Sequence, residues 1–240
     1  MKSKIRQYRK SILVISLVVI STGIYSATQS SLMDVDKIEV VITGGDRLSQ
    51  EDVLKKSGIE LSQSMLSVDS ETAEKSIIGN PWVEEVEVNR NWPSAVSIWI
   101  SLRKPFANAV TSTGVVALID SSGIVIERTS KRSALLPTIL VEEIGLPGSE
   151  ITNIEMLISA AREVTPDVNE WIEIITPVAT GVRLKLNGSV FVDLGAPNDF
   201  SVPLKDLKAV LGQVELTCIQ SIDVSIRENP VVVRDSSRCN

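Results

Sequence analysis

Residues 11–33 form 23 consecutive positions without a charged side chain, and residues 12–20 read ILVISLVVI. No other feature narrows the fold as much. A helix rising 1.5 Å per residue needs about 20 residues to cross the ~30 Å hydrocarbon core of a bilayer. Nine large aliphatic side chains (Ile12, Leu13, Val14, Ile15, Leu17, Val18, Val19, Ile20 and Ile24) favour insertion by about 3–5 kcal/mol before Ser, Thr and Gly subtract from it. The basic cluster Lys2, Lys4, Arg6, Arg9 and Lys10 lies on the N-terminal flank. The positive-inside rule therefore makes residues 1–11 a cytoplasmic tail and residues 12–32 a transmembrane helix, with everything beyond exported: a single-pass, type II arrangement in the cell membrane. A cleaved signal peptide is the alternative, but cleavage wants small residues at −3 and −1. A cut after Ala27 has Tyr25 at −3 and one after Ser26 has Ile24, which leaves Thr28 and Ser30, so an uncleaved anchor is expected.

Five of the 24 basic residues sit in the first ten, so the body from Asp34 onward holds 19 basic and 30 acidic side chains, a net −11. A body that acidic repels phosphate backbones, which argues against nucleic-acid binding. The chain has no histidine. His-based triads and His-containing metal sites are thereby excluded. Two cysteines, Cys218 and Cys239, are too few for a four-cysteine metal site or a disulfide-dense scaffold.

Hydrophobic periodicity divides the exported body in two. Residues 36–43 alternate as a strand, with Ile38, Val40 and Ile42 on one face. Ser49-Gln50-Glu51-Asp52 reads as a capping box opening a helix that stops at Gly58, and Asp69 or Ser70 caps a second, which ends before Gly79-Asn80-Pro81. Strands follow at residues 83–90 and 96–102, giving a strand-helix-helix-strand-strand unit: a three-stranded sheet with two helices on one face. Lys104-Pro105 ends that unit, residues 34–104. In residues 105–235, residues 115–120 and 124–128 read as a hairpin, and residues 151–164 as a helix. Further strands are expected at 171–175, 182–186 and 190–194, the last two joined by the turn signal Asn187-Gly188. A helix at 204–211 and strands at 222–226 and 231–233 complete this sheet-rich half, with 236–240 as a tail. The fold class is α+β: a transmembrane helix, a β-α-α-β-β domain, then a β domain with two helices.

Pro81-Trp82-Val83, Val88-Asn89-Arg90-Asn91-Trp92-Pro93 and Arg103-Lys104-Pro105-Phe106-Ala107 are similar to the end of a polypeptide-transport-associated (POTRA) domain. Leu118-Ile119-Asp120-Ser121-Ser122-Gly123, Leu136-Pro137, Leu207 to Leu211 and Ile222-Asp223-Val224 follow in the order of that family's second domain. The chain resembles the bacterial divisome family FtsQ/DivIB, with residues 34–104 as POTRA domain and 105–235 as C-terminal β domain. The resemblance implies a non-enzymatic scaffold at the division septum, without cofactor or small-molecule substrate, whose partners are divisome membrane proteins, FtsB with FtsL among them. Two positions depart from the pattern. The usual glutamate before Arg103 is Leu102, and the position after Ile222-Asp223-Val224, often basic in the family, is Ser225, with Arg227 two residues on. A different role for the same architecture is an exported POTRA-type transport or assembly chaperone.

Trp92-Pro93 reads first as a turn whose indole covers one end of a small core, and second as an exposed partner anchor. Trp99 alternates away from Val96, Ile98 and Ile100, so it faces out or packs on a neighbour. Ser101-Leu102-Arg103-Lys104 matches the S-x-x-K of penicillin-binding enzymes, which needs the serine at a helix start. Alternation puts it in a strand, where positions i and i+3 point to opposite faces, so no catalytic residue is assigned. Glu84-Glu85 and Glu142-Glu143 are read as solvated charge. The candidate site is the terminal segment. A final strand holding Val231, Val232 and Val233 offers unpaired backbone groups at a sheet edge, with Arg227 and Arg234 as charge complements. The resemblance implies that FtsB, paired with FtsL, adds a strand there, and a tail that blocks the edge is the alternative. If Ile226 pairs with Val231, Cys218 falls opposite Cys239. A disulfide there closes a loop of about 20 residues, worth about 3 kcal/mol; a buried Cys218 thiol is the other reading.

Overall fold

The computed structural model describes residues 15–22 and 33–235. Of the expected transmembrane segment, residues 15–22 are helical, and the remainder lies outside the described residues. In this stretch Ser21 Oγ and Thr22 Oγ1 donate to the carbonyls of Leu17 and Val18 at 2.7 and 2.8 Å, which gives each hydroxyl a partner within its own helix. Among the described residues no helix is long and apolar enough to cross a membrane. The chain divides into two compact units between Leu102 and Arg103.

The first unit runs β1 (Lys37–Thr43), α1 (Gln50–Ser57), α2 (Ser70–Ile78), β2 (Val83–Asn91) and β3 (Ala95–Leu102). Both helices begin where their caps dictate. Ser49 Oγ accepts the Asp52 N–H at 3.1 Å, and Asp69 Oδ1 accepts the Thr72 N–H at the same distance. Gly58 closes α1 at φ +66°, which costs a glycine little. The sheet order is β1-β3-β2, with β1 parallel and β2 antiparallel to the central β3. On β3 the even positions Val96, Ile98, Ile100 and Leu102 are buried with Val53, Ala73 and Ile77 of the helices. Each such aliphatic stabilises the unit by roughly 1.5–3 kcal/mol. Trp99 faces out, as alternation requires, at 50% exposure. Trp82 packs against the core under Arg47, whose guanidinium lies 4.9 Å from the ring centroid. Trp92 does not cover the core: it follows β2 in the turn and is 49% exposed. Ser101 and Leu102 lie in β3, so the S-x-x-K match has no helix start to work from.

The second unit is built on a sheet in the order β12-β11-β10-β9-β8-β7-β4-β5-β6. Its strands are β4 (Ala107–Thr111), β5 (Val116–Ile119), β6 (Val125–Thr129), β7 (Thr138–Val141), β8 (Ile172–Val178), β9 (Gly181–Leu186), β10 (Val190–Gly195), β11 (Ile219–Asp223) and β12 (Val231–Arg234). The helices are α3 (Glu155–Glu163), the single turn α4 (Pro166–Asn169) and α5 (Ser201–Leu211). The β4–β7, β7–β8 and β10–β11 pairs are parallel, with α3 and α4 between β7 and β8 and α5 between β10 and β11. One core takes Ala107, Ile119, Ile139, Ile175, Leu184, Val192 and Ile222 from the sheet and Leu157, Ile158, Leu204 and Leu207 from the helices.

Two strands central to this sheet, β4 and β7, were not expected. Every residue of β4 is buried, so A-N-A-V-T shows no alternation, and its Asn108 reads locally as a turn residue. In place Asn108 is satisfied: Nδ2 donates to the carbonyls of Ser133 and Leu136 at 2.9 and 3.0 Å, and Oδ1 accepts the Ser133 N–H at 2.8 Å. Helix α3 starts four residues later than expected, after Asn153 at φ +60°.

Behind the missing glutamate at position 102, Arg103 finds another acid. Its Nη1 lies 2.5 Å from Asp120 Oδ2, with only 19% and 9% of the two side chains exposed, while Asp120 Oδ1 accepts the Ser122 and Ile124 N–H groups at 2.9 Å each. Asp120→Ala strips three partners at once and leaves a buried guanidinium unpaired. We expect a loss of about 3 kcal/mol or more, read from the urea midpoint of the full chain.

Candidate partner-docking edge

A sheet leaves two rows of backbone groups unpaired, one at each end. At the β6 end the start of the row is covered by the segment before α3. Val125 donates to the Ser149 carbonyl at 2.8 Å and accepts from the Gly148 N–H at 2.7 Å, and Ile124 bridges to Glu150. Arg128 Nη2 donates to the carbonyls of Ile144 and Gly145 at 2.6 and 3.0 Å. Residues 148–151, of which Ile151 alone falls in the expected helix, therefore serve as edge cover.

At the other end β12 pairs with β11 on one side and has no strand beyond it among the described residues. Asp223↔Val231, Ile222↔Val232 and Ser221↔Val233 are in register, and a bulge follows before Ile219↔Arg234. The Asp235 N–H donates to the Cys218 carbonyl at 3.0 Å, so by alternation along β12 the backbone groups of Val232 and Arg234 face away from β11. Side chains divide the other way. Val232 packs on the core, while Val231 and Val233 are 49% and 44% exposed and Arg234 is exposed.

Several expected details are corrected here. The penultimate strand ends at Asp223, not Ile226, and residues 226–229 form the turn, with Glu228 at φ +58°. Arg227 therefore stands in that turn and not on a strand face; its Nε lies 3.6 Å from Glu228 Oε1. Val231 pairs with Asp223 and not with Ile226, and the Asp235 N–H bonds the Cys218 carbonyl. Cys218 is nonetheless disulfide-bonded, which removes the buried-thiol reading; Cys239 lies outside the described residues.

The turn before β12 is tied to α5, a support the sequence did not reveal. The Glu228 N–H donates to Asp206 Oδ2 at 3.1 Å. On the same helix Lys208 Nζ reaches Asp167 Oδ2 of α4 at 2.6 Å, and this bond, with a further one from Thr165, holds the Asp167 carboxyl down at about 2. Asp199, bonded by Ser201 and in the field of Arg227, is also held below the usual carboxylate range. Beside Cys218 a recess is lined by Glu170, Trp171, Asn187, Gly188, Leu216 and Thr217. Among the described residues no group of His, Cys, Asp and Glu is placed to hold a metal ion.

Comparison with known proteins matches residues 38–101 to the family described as POTRA domain, FtsQ-type. A cell division protein FtsQ of Geobacter sp. (strain M21) is 34% identical over 40% of this chain and 34% of its own length. The FtsQ of Corynebacterium glutamicum is 27% identical over 73% of this chain and 78% of its own. The cell division protein DivIB of Streptococcus gordonii is 27% identical over 55% of this chain and 33% of its own. The Geobacter and Streptococcus matches thus span about a third of those relatives. The β-α-α-β-β unit is a POTRA domain of the FtsQ type. Beyond that unit, the chain is similar along most of its length to cell division proteins of the FtsQ/DivIB kind.

A pH prediction follows from Asp167. Its folded pKa lies below the ordinary 3.8, so the stability it lends is full above 3.8 and is lost as pH falls toward about 2. Asp167→Asn should flatten that part of an acid-unfolding curve by lowering the neutral-pH stability toward the acid value, and both changes should be small because the pair is exposed.

Proposed function

We propose that the chain is a membrane-anchored, non-catalytic scaffold of the cell-division complex, and that β12 is where it takes up a partner strand. The carrying observation is the contrast between the two sheet ends: residues 144–149 take up the outward groups of Val125 and the Arg128 side chain of β6, while β12 ends the strand order among the described residues. A partner segment added to β12 bonds the outward groups of Val232 and Arg234, rests on Val231 and Val233, and meets the cations of Arg227 and Arg234. By family resemblance the partner is FtsB, in its pair with FtsL. The helix through residues 12–32 confines the exported body to the membrane plane at the septum, which raises the effective concentration of partners, so a four-residue edge suffices. A disulfide between Cys218 and Cys239 clasps the chain beyond β12 to the start of β11.

Val232→Pro removes one outward donor and no inward one. The variant should keep the wild-type far-UV spectrum and a cooperative thermal transition, at a midpoint lowered by the lost Val232 packing, while binding FtsB at least about tenfold more weakly. Undiminished capture of FtsB by folded Val232→Pro would falsify the edge as docking site. In non-reducing labelling of the folded protein, no thiol should react; two reactive thiols refute the clasp. Fluorescent-fusion imaging should place the chain at midcell, and uniform membrane signal counts against the septal role.

A further inference from the structure

Residues 58–68 (GIELSQSMLSV) divide their large apolar side chains. Ile59, Met65 and Val68 are buried, whereas Leu61 and Leu66 are 61% and 55% exposed. The division follows from how the loop is held. The Met65 N–H donates to the Met33 carbonyl, the Val35 N–H to Gln63 and the Ser62 N–H to Val35, each at 2.8 Å, and Asp34 bridges to Ser64. The loop is thus laid along residues 33–35, directly after the uncharged run. Trp92, half exposed, belongs to the same end of the unit: both the Asp36 and the Lys37 N–H donate to the Ser94 carbonyl, at 2.8 and 3.3 Å. In the sheet Lys37 lies beside Ala95 and Ala95 beside Asn91, while the far end carries Thr43, Ser101 and Glu85.

We propose that Leu61, Leu66 and Trp92 insert into the headgroup–acyl boundary of the exported leaflet and form a second, lateral membrane contact of the POTRA domain. The inference rests on the anchor reading above. If residue 32 ends the membrane helix, the three steps to Val35 span at most about 11 Å, so the loop bonded to residues 33–35 hangs at headgroup depth. The chemistry suits a lipid surface. Leucine supplies apolar area, and tryptophan is enriched at this level because one end of the indole is apolar and the other polar. The exposed Lys55 and Lys56, which close α1, can meet lipid phosphates, but Asp34, Asp36, Glu60 and Asp69 lie at the same end, so apolar area and not charge carries the contact. The contact limits the tilt of the domain about its anchor.

The test places an environment-sensitive fluorophore at Leu61→Cys, Leu66→Cys or Trp92→Cys in the full chain carrying Cys218→Ser and Cys239→Ser. The protein is reconstituted in phosphatidylglycerol/phosphatidylethanolamine vesicles that contain lipid spin-labelled at the top of the acyl chain. Val18→Cys reports the anchor, and Glu84→Cys, at the far end of the sheet, is the control. Blue-shifted emission with strong quenching at 61, 66 and 92, and none at 84, is expected. Quenching at 18 with no more at 61, 66 or 92 than at 84 overturns the contact and leaves the anchor standing. A blue shift at those positions without quenching means that protein, such as a second copy, covers them, and also overturns it. Absence of quenching at 18 removes the anchor and the contact with it.

Discussion

Backbone hydrogen bonding in a sheet has to stop at its outer strands, and the C-terminal unit stops differently at its two ends. An N–H or C=O left without a partner at an edge bonds water or another chain. At β6 the protein supplies partners for Val125, in Gly148 and Ser149, and Arg128 of the same strand donates to the Ile144 and Gly145 carbonyls. At β12 it supplies none among the described residues beyond the pairing with β11. Without Gly148 and Ser149 beside it, Val125 of β6 would also leave its outward groups open.

A short, half-exposed strand at an edge has little burial of its own to hold it. Of the four residues in β12, Val232 is the one that packs on the core. The rest of its definition comes from outside the ladder. Glu228 is bonded to α5, α5 is tied to α4 through Lys208 and Asp167, and Asp235 is bonded to the carbonyl of a disulfide-bonded cysteine. These ties fix the entry and exit of the strand, so under the proposed docking its order is present beforehand, which lowers the ordering cost of association.

Polar groups inside this unit act as locators. Asn108, wholly buried, holds the connection that leads into β7, and the Arg103–Asp120 pair joins the first residue of the unit to the turn between β5 and β6. Satisfied polar groups of this kind cost little in place and a great deal when a partner is removed, which makes the arrangement specific.

Local signals were enough wherever a residue's environment is settled by its near neighbours. The caps at Ser49 and Asp69, the stop at Gly58, the alternation of Val96 through Leu102 and the hairpin around Gly188 act over a few residues, and each stands in the structure as its pattern implies. The uncharged run, the acidic body and the lack of histidine likewise belong to composition alone. Only tertiary structure decided the identity of β4 and β7, because strands covered on both faces lose their alternation, and a buried asparagine is acceptable only once Ser133 and Leu136 surround it. It also decided the register of β12 and the displacement of Arg227 into the turn. The reason is that register is set where Ile222 and Val232 meet a common core and where Asp206 reaches Glu228, contacts that join positions with no mark of one another in the chain.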